Sequence, residues 1–142
     1  SADERFPALS PDGKWIAYVA DEGRREVFVQ SFPDLGPRHK ISIDGGGEPV
    51  WSPDGRQLFF REGGRMLAVD IEYAPAFSAS RPRVLFTGEY DAAPVSGHQH
   101  YDISLDGKKF LMIKHGEPAG PGEVRVVLNW SEELKAFVAR SS

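Results

Sequence analysis

Leu9-Ser10-Pro11-Asp12-Gly13-Lys14 returns as Trp51-Ser52-Pro53-Asp54-Gly55-Arg56, and again as Ile103-Ser104-Leu105-Asp106-Gly107-Lys108, at spacings of 42 and 52 residues. A Ser-Pro-Asp-Gly tetrad suits a type I turn: Pro presets φ at its second position, Asp tolerates the third, and Gly accepts a left-handed fourth. Leu105 replaces Pro in the third copy, which that turn allows. Asp12 and Gly13, Asp54 and Gly55, and Asp106 and Gly107 are therefore assigned to structural turns; the three aspartates are turn caps rather than a carboxylate ring.

Around each turn the pattern is that of strands. First strands run over Phe6–Ser10, Glu48–Ser52 and His100–Ser104, and second strands over Trp15–Ala20, Leu58–Arg61 and Phe110–Lys114. Third strands follow over Glu26–Gln30, Met66–Asp70 and Val124–Leu128, with fourth strands around His39–Ser42 and Arg83–Phe86 in two copies only. Leu134, Phe137 and Val138 instead follow helical spacing, with Asn129 or Ser131 as N-cap. Recurring groups of four short strands describe β-propeller blades; a sandwich does not require the same turn at the same point of each group. The expected fold is all-β: a half-propeller of three four-stranded-type blades, spanning 4–47, 48–99 and 100–130, the third incomplete and followed by a short C-terminal helix over 131–139.

Composition narrows the function. The 142 residues suffice for one core, and 15 Gly with 11 Pro exceed the usual share, as a turn-rich chain requires. The longest apolar run, Trp15–Ala20, is far short of the roughly 18 residues of a membrane helix. A net charge of −4 with scattered Lys and Arg lacks the footprint that nucleic acid demands. With no cysteine there is neither disulfide nor thiolate chemistry, and both cytoplasm and periplasm remain open.

The three tetrads with their following strands resemble TolB-type, WD-repeat-like propeller repeats of bacterial proteins. The run Glu48–Phe60 with Arg65–Asp70, the segments Tyr101–Ser104 and Phe110–Lys114, and the closing Leu128–Lys135 look like the C-terminal propeller end of multidomain bacterial proteins, some with an upstream Ser/Thr protein kinase domain. The resemblance implies a scaffold within a larger protein. It implies no phosphotransfer, because the chain has no Gly-rich phosphate loop, His-Arg-Asp or Asp-Phe-Gly.

First strands line a propeller's channel, so the loops entering them form a rim that offers Asp44, Glu48, Asp91, His98 and His100 to a protein or peptide ligand. His98, His100 and Asp102 alternate along one strand but lack a fourth metal ligand, and no metal or other cofactor is assigned. Gly45-Gly46-Gly47 reads as a flexible rim loop, since no helix or Lys follows to make a phosphate cradle. Trp15, Trp51 and Trp130 read as blade core, and His39 and His115 as surface residues. The alternative to a scaffold is a small esterase- or peptidase-type hydrolase using Ser96, His98 and Asp102, although no Gly-x-Ser-x-Gly elbow is present. Closed propellers have four to eight blades, so three leave an apolar face bare at each end. That points to a homodimer closing a six-bladed ring, or to the rest of a longer chain. The dimer expectation carries an interface above about 2,000 Å² and a monomer seen only alongside unfolding.

Overall fold

The computed structural model describes residues 4–88, 101–114 and 123–128, which form β-strands in three antiparallel sheets and contain no helix. The helix expected over 131–139 lies outside the described residues. Blade 1 is a meander of β1 (Arg5–Leu9), β2 (Trp15–Asp21), β3 (Arg25–Ser31) and β4 (His39–Lys40). In blade 2, β5 (Gly47–Trp51), β6 (Gln57–Glu62) and β7 (Arg65–Glu72) lie in order, and β7 also pairs with both β8 (Ser78–Ala79) and β9 (Arg83–Thr87). Blade 3 comprises β10 (Tyr101–Ile103), β11 (Lys109–Lys114) and β12 (Glu123–Leu128). The two-residue β8 is too short and too polar to show in the sequence pattern. It forms where Asp70 N donates to Ser80 Oγ at 2.8 Å and Ser80 N to Asp70 O at 2.9 Å.

All three turns have one geometry. The glycine amide donates to the serine carbonyl at 2.8–2.9 Å (Gly13 to Ser10, Gly55 to Ser52, Gly107 to Ser104), with glycine φ of 71°, 72° and 72°. The serine hydroxyl donates to the aspartate carboxylate and accepts the amide five residues on; the carboxylate also takes the amide of Lys14, Arg56 or Lys108. Each chain reversal is thus closed by hydrogen bonds within the turn.

Alternation of side chains across the strands then places two cores between three sheets. Ala17, Val19, Val27 and Val29 of blade 1 meet Trp51, Leu58, Phe60, Leu67, Val69 and Ile71 of blade 2. The opposite face of blade 2, with Phe59, Met66 and Ala68, meets Tyr101, Phe110 and Met112 of blade 3. Phe59 and Phe110 cross edge to face at 5.0 Å and 89°, a pairing favourable beyond its buried area. Burial on both faces explains the unbroken apolar run Leu58-Phe59-Phe60.

A bare apolar face at each end was expected, and the structure corrects this for blade 1. Tyr18, Ala20 and Phe28 form a cluster on the side away from blade 2, yet Tyr18 is only 6% and Phe28 4% exposed. The segment after β3 folds back over them. Arg38 lies 3.9 Å from the Phe28 ring centroid and 5.9 Å from that of Tyr18, and it pairs with Glu22 at 2.7 Å. Tyr18 Oη donates to Gln30 Oε1 at 2.5 Å, and Gln30 Nε2 to Gly36 O at 2.7 Å. Leu9 and Leu35 remain exposed at this end, and Leu105 and Leu111 on blade 3. A cation over an aromatic ring is a favourable cover, so Tyr18 and Phe28 are shielded from solvent within the chain itself.

Because Gly55 sits at φ 72°, Gly55→Val forces a β-branched residue into a left-handed conformation. Chemical denaturation is expected to show a loss of about 1–2 kcal/mol, with a melting temperature several degrees lower.

Candidate functional site

The rim loop between β4 and β5 is pinned rather than flexible. Glu26, buried on β3, accepts hydrogen bonds from Ser42 Oγ, Arg24 Nε (2.6 Å) and Gly45 N (3.1 Å), with Lys40 Nζ at 3.2 Å. Ser42 Oγ accepts from Val27 N at 2.9 Å, Gly46 N donates to Arg25 O at 3.0 Å, and Arg24 Nη2 to Ile43 O at 2.6 Å. A Cβ on Gly46 would fall 2.7 Å from Phe60 Cδ2, so this glycine serves close packing. The Gly45 amide that would face a phosphate instead meets a carboxylate of the same chain. Burial pushes the Glu26 carboxyl up, but the hydrogen bonds from Ser42, Arg24 and Lys40 outweigh it and hold its pKa below the ordinary value.

The other predicted rim residues separate. Asp44 is exposed at the loop tip, whereas Glu48 is 3% exposed and faces the equally buried Arg61 at 3.5 Å. Asp102 is exposed and its carboxylate takes the amide of Ile103 at 2.8 Å. Asp91, Ser96, His98, His100, His115 and Trp130 lie outside the described residues. The buried Tyr101 donates to Glu48 O at 2.5 Å and Phe59 O at 3.3 Å, tying blade 3 to blade 2; burial, then the nearby Glu48 charge, pushes its pKa well up.

His39 is half-buried rather than a surface residue. Its ring lies 4.5 Å from Phe77, which also stacks 4.6 Å from Trp15, so a loop of blade 2 wedges into blade 1. Tyr73 of that loop donates to Gly55 O at 2.6 Å; burial, then Asp12 and Asp54, pushes its pKa up to about 12.

Successive blades interlock through their turns. A Cβ on Gly55 would lie 3.6 Å from Pro11 Cδ, and one on Gly107 3.3 Å from Pro53 Cδ, so each turn glycine abuts the residue after serine in the preceding blade. The same point on Gly13 has nothing within 4 Å among the described residues. Trp51 Nε1 reaches across the first junction to donate to Ala8 O at 2.9 Å. The repeat places Leu9 at that position in blade 1, where it is 51% exposed.

This arrangement occurs in solved structures. The chain resembles TolB from Acinetobacter baumannii over 88% of its length, with a TM-score of 0.54 and 22% identity, and a TolB-like protein from Agrobacterium tumefaciens over 89%, with a TM-score of 0.57 and 18% identity. The fold is that of TolB-type propeller repeats. The chain spans 30% and 44% of those two proteins. A stretch of 56 residues is 43% identical to the Tol-Pal system protein TolB of Alcanivorax borkumensis, covering 37% of this chain and 13% of that protein. No protein-family model matches.

Two features of these TolB-type repeats escaped the sequence reading. Phe6 and Glu48 occupy the same repeat position, each before a proline in a bulged first strand, and both are left-handed, at φ 56° and 51°. Two residues with side chains are rarely found there. The repeat also aligns Phe6 and Val19 with Glu48 and Arg61, so an apolar pair in blade 1 becomes an ion pair in blade 2. Laying the repeats side by side reveals that exchange.

Removing one member of a buried pair is strongly destabilising, whereas an apolar replacement of both is tolerated. Glu48→Ala is expected to lose about 3–5 kcal/mol in urea denaturation, and Glu48→Phe with Arg61→Val to recover most of it, since Phe6 already shows that phenylalanine accepts this backbone. For Glu26 the folded pKa is depressed, so its contribution is complete above the unfolded value and fades as pH falls through the folded one. Glu26→Gln should therefore melt below the wild type at pH 7, with the gap closing below about pH 4.

Proposed function

We propose that the protein is a non-catalytic TolB-like propeller scaffold for protein binding and assembly, and that a second copy completes its three blades into a six-bladed ring. The observation that carries this reading is the turn interlock, made at Gly55 and Gly107 and, among the described residues, unmet at Gly13. Rotation of the arc by 180° about the channel axis sets blade 3 of each copy against blade 1 of the other, the closed two-fold symmetry commonest among soluble oligomers. Asp44, exposed on the rim loop, offers a polar contact to a protein or peptide, and Asp91, His98 and His100 are assigned to the same role on the sequence pattern alone, while Glu48 faces Arg61 in the interior.

The cover that Arg38 provides over Phe28 changes the expected energetics. Association joins already folded monomers and is reversible, in place of an obligate dimer. Sedimentation velocity from about 1 to 200 µM is expected to show the 15.7 kDa monomer giving way to a species of about 31 kDa, with sheet-type circular dichroism unchanged on dilution. A folded monomer at every concentration would overturn ring closure.

A further inference from the structure

The ring reading leaves open which atoms meet, and the internal junctions carry that information. Three contacts run in the same direction. At the first junction the residue before the turn serine reaches the main chain of the blade before it, Trp51 to Ala8, and at the second Ile103 stands there and packs on the shared cluster. The turn glycine abuts the residue after serine in the blade before, as Gly55 does Pro11 and Gly107 does Pro53. The even-numbered face of the second strand, Leu58 and Phe60 or Phe110 and Met112, packs on the face of the preceding blade that carries Ala17 or Phe59.

Among the described residues, the outer faces of blades 1 and 3 carry the two halves of one more such junction. On blade 1, Leu9 is 51% exposed, and Leu35, 63% exposed, lines a cavity of about 230 Å³ with Pro7, Ile16, Tyr18 and Gln30. On blade 3, Leu105 is 95% exposed at the position of Pro11 and Pro53, and Leu111 is 42% exposed at the position of Ala17 and Phe59. Strand register is shared as well: Ala8 pairs with Ala17, Val50 with Phe59, and Asp102 with Leu111. The Asp102 carbonyl therefore stands on blade 3 where the Ala8 carbonyl stands on blade 1.

We infer that the blade 1 end is a docking face for blade 3 of a second copy, with Leu9 against the main chain at Asp102 of that copy and Leu105 of that copy over Gly13. The inference rests on the ring reading and goes further in naming the register. Leu9 lacks the indole N–H with which Trp51 closes the first junction, so this contact is apolar and comparatively weak. The native chain holds the acceptor and omits the donor.

The test supplies the donor. Leu9 lies outside the buried clusters, so its variants are expected to keep the wild-type melting temperature and circular dichroism. In sedimentation velocity, Leu9→Trp should dimerise at a concentration about tenfold lower than the wild type, because a hydrogen bond is gained at each of two junctions. Leu9→Glu should remain monomeric, since a carboxylate would be buried at each junction. A wild-type dimer indifferent to both substitutions overturns the register while leaving a dimer in place. A wild type that stays monomeric up to about 200 µM overturns ring closure, whatever the Leu9→Trp variant does.

Discussion

Everything in this fold depends on how the chain reverses between the first and second strands of each blade. Serine, aspartate and glycine satisfy one another there: the hydroxyl serves the carboxylate and one amide, the carboxylate takes a second amide, and glycine closes the turn from a left-handed φ. The serine hydroxyl and neighbouring amide hold the carboxyl groups of Asp12, Asp54 and Asp106 below the ordinary carboxylate range. Because the turn glycine also seats against the residue after serine in the previous blade, one local motif sets both the strand reversal and the spacing between sheets.

Blade 2 shows what full enclosure requires. With neighbours on both sides, its strands are apolar on both faces, and the polar groups admitted are paired: Glu48 with Arg61, and the Tyr101 hydroxyl with two carbonyls of blade 2. Blade 1 meets a different demand. Its outer face keeps aromatic residues at the junction positions but covers them with Arg38, held by Glu22, and lines the edge with Gln30 and Glu26. Because these rings are shielded within the chain, the proposed closure is reversible rather than obligate.

The pinned rim loop alters the view of the channel mouth. Three glycines in sequence suggested freedom, yet Gly45 donates to Glu26, Gly46 packs against Phe60, and Gly47 begins a strand. A loop held in this way presents Asp44 at a defined place, and with the Gly45 amide taken by Glu26 it lacks the free amide a phosphate cradle would use there.

The sequence by itself determined the turns and the all-β succession of the main strands, β8 excepted, because these rest on short-range chemistry: a tetrad repeated at fixed offsets and period-two alternation read directly along the chain. The second strand of blade 1 and the third of blade 2 were legible within one or two residues at either end. Only the tertiary structure decided that Glu48 belongs to the interior, that His39 lies beside Phe77 of the next blade, and that Arg38 covers Phe28. In each case the partner comes from a separate strand or loop. Charge and hydropathy along the chain do not specify such a meeting until the sheets are stacked, and that stacking decides which polar side chains are solvated and which are enclosed.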